Sequence, residues 1–366
     1  MKPLPAVPGV ISEAQIADTV AAIASVQLPS GNIPWTPGGH TDPWNLVEAA
    51  MALDVGGHHD ASRGAYEWLA SKQRHDGSWH AYYLGEEVED PTLDTNVTCY
   101  VATGAWHHYL STDDLPYLRR QWPMIEGAID FALDFQRETG EIAWRGDDPD
   151  DGALLTGSSS IHLSLKCAIA VAEQLGYERP DWELSLGALA TAVAHRPDVF
   201  LEKHRWAMDW YYPILGGVLR GRPAQARIVD GYGTFVVESR GVRCVSDAPW
   251  ITAAETCELV MALDAIGNDA QARRLYGSVQ FLRSESGGYW TGANFDAERF
   301  EAEGEHYPKE HPTWNSAAVV LAADALSGSG PRAGLFRGEH LPEGLTADEL
   351  VAAGVEIERE RSTRDR

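Results

Sequence analysis

Carboxylates and aromatic side chains occur close together where several helical segments of this sequence begin. The carboxylates are Asp42, Asp94, Asp209, Asp247, Glu255 and Glu310. The neighbouring rings are Trp44, Tyr211, Trp250, His306 and Trp314. A carboxyl group with a raised pKa can protonate a leaving oxygen while a second carboxylate activates water, which is how glycosidic bonds are hydrolysed. Because Trp and Tyr combine a flat apolar face with a polar edge, the pattern predicts a sugar site.

These residues divide into two predicted sets. The predicted catalytic carboxylates, which would bind the substrate or act as acid and base, are Asp94, Asp209, Glu255 and Glu310. The predicted substrate-binding residues are Asp42, Trp44, Tyr211, Asp247, Trp250, His306 and Trp314, with Trp250 and Tyr211 as stacking faces. Each acid could instead cap its helix, because first-turn N–H groups need an acceptor and the helix dipole favours negative charge there. The aromatic neighbours favour a site over a set of caps.

Helices must position these side chains, because apolar residues recur with helical spacing and alternating β-branched runs are scarce. Six segments rich in Ala, Gly, Ser and Cys begin near Asp42, Asp94, Ser158, Asp209, Pro249 and Thr313. Six more charged segments cover residues 12–26, 61–72, 115–136, 182–195, 223–236 and 269–283. Small residues allow close packing around an axis, and charged faces suit an outer layer. We therefore predict an all-α (α/α)6 toroid of about twelve helices, one domain over residues 10–326. A C-terminal extension over 327–366 is expected to be partly disordered.

A turn with Gln, Gly and Trp recurs along the chain, at residues 27–35, 73–79, 136–144 and 280–290. Residues 63–79 resemble the glutamine–tryptophan repeat of squalene–hopene-type terpenoid cyclases. Residues 94–136 resemble the six-hairpin glycosidases, in particular glucoamylase-like proteins. Both families are α/α toroids, so either resemblance implies the same fold. The matching residues are chiefly structural and leave the chemistry open.

An isoprenoid enzyme is the alternative. Residues 148–151 (Asp-Pro-Asp-Asp) fit the acid motif of class II terpenoid cyclases, and residues 147–151 also fit a magnesium-diphosphate motif. In prenyltransferase β-subunits, Zn²⁺ is held by Asp, Cys and His at inner-helix ends, where this chain has Glu255, Cys257, His306 and His311. A terpenoid cyclase or prenyltransferase-like enzyme would thus use Mg²⁺ or Zn²⁺, whereas the sugar enzyme needs no cofactor. A diphosphate would need cations, and the helix starts carry few Lys or Arg besides Arg243.

Composition excludes several classes of protein. With 54 acidic and 29 basic residues the net charge is −25, and no basic stripe is present, so nucleic-acid binding is not expected. No apolar run approaches the roughly 18 residues of a membrane span. The cysteines are widely spaced without a CxxC pair, which favours reduced thiols and a cytoplasmic location. The prediction is a carbohydrate-active, glycoside hydrolase-like enzyme for a small or oligomeric sugar, with the oligomeric state left open. A toroid that binds a ligand without catalysis is a third hypothesis.

Overall fold

A computed structural model describes residues 3–296, 308–345, 349 and 350. Twelve α-helices account for most of this part of the chain, as predicted. They are α1 (Glu13–Val26), α2 (Pro43–Val55), α3 (His59–Lys72), α4 (Thr95–Thr112), α5 (Leu115–Leu133), α6 (Leu155–Leu175), α7 (Pro180–His195), α8 (Ala207–Leu215), α9 (Gly221–Phe235), α10 (Ala253–Ala265), α11 (Asp269–Ser278) and α12 (Thr313–Ser327).

The even-numbered helices form a closed inner ring. Each of α2, α4, α6, α8 and α10 packs against the next even-numbered helix, and α12 packs against α2. The odd-numbered helices lie outside, with α1 against α12 and α2. Small side chains line the helix contacts, as in α2, where Ala49, Ala50 and Ala52 are fully buried. The predicted (α/α)6 toroid is therefore confirmed, with the helices assigned to the two layers as expected.

Four similar turns tie neighbouring outer helices together. After α3, the side-chain amide of Gln73 donates hydrogen bonds of 2.9 Å to the carbonyl oxygens of Gly77 and Met124, the latter in α5. Gly77 has φ 90°, and a Cβ atom there would overlap the carbonyl oxygen of Gly127 in α5. Only glycine fits this position, because it combines positive φ with close backbone approach. The corresponding glycines are Gly31 against α3, Gly140 against α7 and Gly287 against α1.

The turn that resembles the cyclase repeat is thus a structural tie. Trp79, at its end, is buried and donates a hydrogen bond of 2.8 Å to the carbonyl oxygen of Leu69. The contact of Gly287 with α1 joins the last outer helix to the first. These turns therefore hold neighbouring outer helices together, and their role is structural.

Two small antiparallel sheets lie where inner helices begin. The first contains β1 (His40–Thr41), β2 (Tyr82–Leu84) and β3 (Glu87–Asp90) in that order. The second contains β4 (Val236–Val237), β5 (Gly241–Arg243), β6 (Trp250–Thr252) and β7 (Gly292–Asn294). Sequence analysis did not predict these strands, since two to four residues are too few to show alternation. Trp250 consequently lies in β6, and the fifth inner helix begins at Ala253.

The chain after α12 covers the opposite end of the barrel. Residues Pro331–Arg337 form a 3-10 helix in which Arg332 is buried and pairs with Asp324 of α12 at 3.0 Å. Arg337 pairs with Asp264 of α10 at 2.6 Å. These ion pairs fix the segment against the ends of two inner helices. No helix among the described residues is long and apolar enough to cross a membrane.

Candidate active site

A cavity of about 420 Å³ opens at the end of the barrel where inner helices begin. It is lined by the first residues of α2, α4, α6 and α8, together with β2, the end of β3 and the loop before α6. The lining residues are Asp42, Trp44, Asn45, Ala81, Tyr82, Asp90, Thr92, Asp94, Asn96, Val97, Trp144, Thr156, Met208 and Tyr212. Three of the predicted site residues, Asp42, Trp44 and Asp94, are thus brought to one cavity, among aromatic faces.

Asp94 is the N-cap of α4 and lines the cavity with its carboxyl group. Oδ1 accepts a hydrogen bond of 2.9 Å from the backbone N–H of Val97, which starts the helix at this point. Burial raises the pKa of Asp94 to about 6, and the nearby charge of Asp42 acts in the same direction. A carboxyl group with this pKa retains its proton in mildly acidic solution and can donate it to a bound substrate.

Asp42 is the N-cap of α2 and is held more tightly. Its Oδ1 accepts a hydrogen bond of 2.9 Å from the backbone N–H of Asn45. Its Oδ2 accepts hydrogen bonds of 2.6 Å from the indole N–H of Trp35 and of 2.5 Å from the side-chain amide of Asn45. Burial raises the pKa of Asp42, while these hydrogen bonds oppose the shift. The carboxylate therefore has one fixed orientation in the cavity wall.

Asp209 lies in the first turn of α8, beside the cavity. Its Oδ1 accepts a hydrogen bond of 3.4 Å from the hydroxyl of Thr156, which itself lines the cavity. Burial raises the pKa of Asp209, and the charges of His204 and Arg227 oppose the shift. Arg227 also donates a hydrogen bond of 2.8 Å to the backbone carbonyl of Asp209, which ties the start of α8 to α9. Asp209 thus contacts the lining but is not part of it.

A second layer of polar groups lies beneath the cavity, on the inner helices α2, α4, α8 and α10. Glu258 of α10 is buried and accepts hydrogen bonds from the hydroxyls of Tyr211 and Tyr212, the latter at 2.6 Å. Burial and the charge of Glu255 together raise the pKa of Glu258 to about 8, although the two hydroxyl donors lower it. Glu258 is therefore mostly protonated at neutral pH. Because Tyr212 lines the cavity, this network reaches the cavity floor.

Glu48 of α2 completes the buried layer. It accepts a hydrogen bond of 3.2 Å from the hydroxyl of Tyr100, and its pKa is raised well above its usual value by burial and then by the charge of Glu258. Trp44, in the cavity wall, stacks on Tyr100 with ring centres 4.6 Å apart. Sequence analysis missed Glu48 and Glu258. Their signal was an acidic residue inside an otherwise apolar, Ala-rich helix, where a charge is seldom found unpaired.

Two predicted stacking residues, Tyr211 and Trp250, lie outside the lining of this cavity. Tyr211 is fully buried beneath the cavity and its hydroxyl donates a hydrogen bond to Glu258, so its ring has no face free to stack on a sugar. Trp250 is half-buried in β6, where its ring packs over Gly292, and it is not part of the cavity lining.

The remaining predicted residues occupy several environments. Asp247 is exposed and pairs with Arg205 at 2.8 Å, outside the cavity lining. Glu255 is buried at the start of α10 and accepts a hydrogen bond from the hydroxyl of Thr252. Glu310 accepts a hydrogen bond of 3.2 Å at its backbone oxygen from the N–H of Thr291.

The two remaining residues belong to or precede α12. The ring centre of Trp314 lies 5.6 Å from that of Trp35, whose indole N–H is bonded to Asp42. His306 lies outside the described residues.

The acidic motif of the isoprenoid alternative does not reach the cavity. Residues 147–151 are exposed, and Pro149–Asp151 form a short 3-10 turn. Both Asp147 and Asp151 form ion pairs with Arg145, at 3.1 Å and 3.6 Å respectively. Cys257 is fully buried in α10. Among the described residues, no group of three or more His, Cys, Asp and Glu side chains could hold a metal ion.

Comparison with known proteins identifies the family. No family model matches the chain. The MMP endo-(1,4)-3-O-methyl-alpha-D-mannosidase of Mycolicibacterium hassiacum is 48% identical over 347 residues, which cover 94% of this chain and 95% of that protein. This chain belongs to the family of that mannosidase. The mannosidase family places the chain among enzymes of the glycoside hydrolase type, as predicted, and gives no support to the isoprenoid alternative.

Solved structures share the fold of this mannosidase family. A glycosidase variant in complex with glucose superimposes with a TM-score of 0.70 at 14% identity, over 87% of this chain and 97% of its own. A mannosylglycerate hydrolase of Thermus thermophilus in complex with glucose gives a TM-score of 0.66 at 11% identity, and the match covers 83% of this chain and 99% of the hydrolase. A D-mannose isomerase gives a TM-score of 0.63 at 10% identity, and the match covers 85% of this chain and 96% of the isomerase. Similarity at these identities shows a common α/α toroid.

Proposed function

We propose that this protein is an endo-acting hydrolase of α-(1,4) linkages in chains of 3-O-methyl-D-mannose. The proposal takes its substrate from the relative that is 48% identical over nearly the whole chain. The structural observation that carries the reaction is the cavity in which Asp42 and Asp94, at neighbouring helix starts, lie among Trp44, Tyr82 and Trp144. Two carboxyl groups and several aromatic faces around one cavity are the groups that glycoside hydrolysis needs.

Asp94 is the proposed proton donor. Its pKa of about 6 keeps a fraction of the carboxyl groups protonated near neutral pH. Its proton would pass to the glycosidic oxygen as the bond from that oxygen to the anomeric carbon breaks. The leaving sugar then departs as a neutral alcohol, and Asp94 is left as a carboxylate.

Asp42 is the proposed second carboxylate. Trp35 and Asn45 hold both of its oxygens, so that it presents a fixed negative charge to the cationic anomeric carbon of the transition state. It would either attack this carbon or take a proton from the attacking water. We prefer Asp42 to Asp209 in this role because Asp42 lines the cavity, whereas Asp209 contacts it through Thr156.

The apolar part of the lining suits a methylated sugar. Ala81, Val97 and Met208 lie in the same cavity as the two carboxylates. A methyl ether buried against them gains about 0.8 kcal/mol relative to water. A free hydroxyl at the same place would lose its hydrogen bonds to water. The lining therefore supports selection of 3-O-methyl over unmethylated mannose.

The test is hydrolysis of α-(1,4)-linked 3-O-methylmannose chains of defined length, with products followed by mass spectrometry. Internal cleavage, giving two shorter oligosaccharides from each cut, is the expected result, with slower cleavage of unmethylated chains. Release of single sugars from one end only would contradict endo action, and inertness toward every methylated chain would overturn the proposal. Since only side chains take part, activity should persist in EDTA. Proton NMR of the first product shows whether the anomeric configuration is retained.

A cytoplasmic location is part of the same proposal. All four cysteines, Cys99, Cys167, Cys244 and Cys257, are free. Unpaired thiols are usual in the reducing cytoplasm. Fractionation of cells that produce the protein, followed by immunoblotting, tests this location, and recovery in the secreted fraction would contradict it.

A further inference from the structure

A long groove lies on the outer wall of the barrel, between α9 and α11. Its lower part has a volume of about 690 Å³ and its upper part about 240 Å³. Tyr232 and Gln271 line both parts, so the two form one continuous groove. It extends from Asn268, in the loop between α10 and α11, to Ser239, between β4 and β5. None of its lining residues belongs to the cavity at the barrel mouth.

The groove lies at a place where the outer ring lacks one of its ties. Turns with a Gln amide tie and a close glycine contact join α1 to α3, α3 to α5 and α5 to α7. A turn with Arg283 and Gly287 joins α11 to α1. After α9, the chain instead enters β4 directly. α9 packs against α8, and α11 packs against α10 and α12, so the space between α9 and α11 is not filled by either helix. A Cβ atom added at Gly233 or Gly267, in its wall, would have no other atom within 4 Å.

The lower groove carries no charged side chain, although the protein has a net charge of −25. Its polar groups are the hydroxyl of Tyr232 and the amides of Gln225, Asn268 and Gln271. The Asn268 amide donates a hydrogen bond to the amide oxygen of Gln271, and each of these two amides keeps further donor and acceptor capacity. The upper part adds one acid and one base, Glu238 and Arg274. A neutral ligand with many hydroxyls suits this lining better than an anion or a cation does.

Apolar side chains complete the groove. The side chain of Val229 is 74% exposed, the largest exposure among the large apolar residues described. Ile228 and Ile266 lie in the same wall, and Tyr232, at the junction of the two parts, is half-buried. Amides, a tyrosine ring and aliphatic groups together match a sugar chain that carries both hydroxyls and methyl ethers.

We propose that the groove between α9 and α11 is a second binding site for a neutral, methylated polysaccharide, separate from the cavity in which bonds are cleaved. The proposal rests on the proposed function, since an endo-acting enzyme meets its substrate as a long chain. Tyr232 provides a face for a pyranose ring, the amides bond to hydroxyls, and Val229 covers methyl groups. Binding here raises the concentration of cleavable chain near the cavity.

Two other occupants fit the groove less well. The 16 residues after Leu350 carry eight acidic or basic side chains, which find no charged partner in the lower groove. A second copy of the protein would bring a net charge of −25 against another −25. A neutral polymer meets neither obstacle.

The experiment uses two groove variants of the full-length protein, Tyr232→Ala and Val229→Glu. Val229 is so exposed that its replacement does not endanger folding. Binding of a long methylated mannan is measured by affinity electrophoresis with Asp94→Asn added to stop cleavage. Both variants should bind the polymer about tenfold more weakly, the loss that corresponds to one stacking contact. In the cleavage-competent background, KM for the polymer should rise relative to KM for a short oligosaccharide that fills only the cavity.

Tyr177→Ala is the matched control, because Tyr177 is a tyrosine with an exposed ring (39%) that lies outside the groove. It should leave polymer binding unchanged. Unaltered polymer affinity in both groove variants would overturn the second site, even if cleavage proceeds normally. A smaller sedimentation coefficient in the variants than in the parent would show that a second copy occupies the groove, which also contradicts the proposal. Failure to cleave any methylated chain would count against the proposed function alone, since the binding measurement does not depend on cleavage.

Discussion

The hydroxyl of Tyr212 donates a hydrogen bond of 2.6 Å to Oε1 of Glu258, and the same tyrosine lines the cavity in which Asp42 and Asp94 lie. One side chain thus belongs both to the cavity floor and to the buried polar layer beneath it. The position of the floor therefore depends on a carboxyl group that is almost completely buried.

Glu258 should make stability depend on pH in an unusual direction. Its pKa is about 8 in the folded protein, against an ordinary value of 4.5. Between these values the folded state binds a proton that the unfolded state has released, so the free energy of unfolding falls as pH rises. The slope from this group approaches about 1.4 kcal/mol per pH unit. The contribution is complete below pH 4.5 and is lost as pH passes through 8.

Urea denaturation of the parent and of Glu258→Gln at pH 5.5, 6.5 and 7.5 measures this effect. Gln is uncharged at every pH, so the variant should lack the contribution of Glu258 to the slope. Glu258→Leu, which leaves two buried hydroxyls without their acceptor, should be less stable than Glu258→Gln by about 1–3 kcal/mol. Identical pH slopes in the parent and in Glu258→Gln would show that Glu258 is ionised in the folded protein.

Asp94→Asn separates catalysis from capping. Asn is as good an N-cap as Asp, so the free energy of unfolding should change by less than about 0.5 kcal/mol. Asn cannot donate an acidic proton, and kcat should fall at least about 100-fold. In the parent, kcat should decline as pH rises above about 6, because the carboxyl group then loses its proton. A variant that keeps most of its activity, with the same pH profile, would exclude Asp94 as the acid.

Trp44 should contribute to substrate affinity through its ring. It lines the cavity and is stacked on Tyr100. Trp44→Ala removes the aromatic ring and should raise the Kd for a methylated oligosaccharide about tenfold. Trp44→Phe keeps a smaller aromatic ring, so it should raise the Kd less. Calorimetric titration of catalytically inactive protein gives these constants. An unchanged Kd in Trp44→Ala would place the sugar elsewhere in the cavity.

The buried ion pair between Arg332 and Asp324 should hold the segment after α12 in place. Both side chains are almost completely buried. Arg332→Leu leaves a buried carboxyl group without its partner and should cost about 3 kcal/mol of stability. Removing both charges, with Arg332→Leu and Asp324→Leu together, should recover much of this loss. Thermal denaturation of Arg332→Leu, Asp324→Leu and the double variant provides a double-mutant cycle. If the two single losses of stability add up to the loss in the double variant, the two residues are not coupled.

The sequence by itself determined the ring of helices. Helix starts depend on local features, such as the side chains of Asp42 and Asp94, which accept hydrogen bonds from the backbone three residues ahead. The spacing of Gln73 and Gly77 likewise produces a tie to the next outer helix wherever it recurs. Such interactions involve residues close together in sequence or a repeated contact, so that the pattern is visible without coordinates. The glycosidase-like class followed from the same helix starts.

Only the tertiary structure decided which side chains face the cavity. Tyr211 and Tyr212 are adjacent and chemically alike, yet one is buried beneath the cavity and the other lines it. Trp250 was expected at a helix start but is held in a short strand by pairing with β7. Glu48 and Glu258 are on different inner helices, and their carboxyl groups influence each other only because the closed ring brings α2 and α10 around one axis. The rotation of each helix about its own axis depends on packing against both neighbours, and no single segment of sequence contains that information.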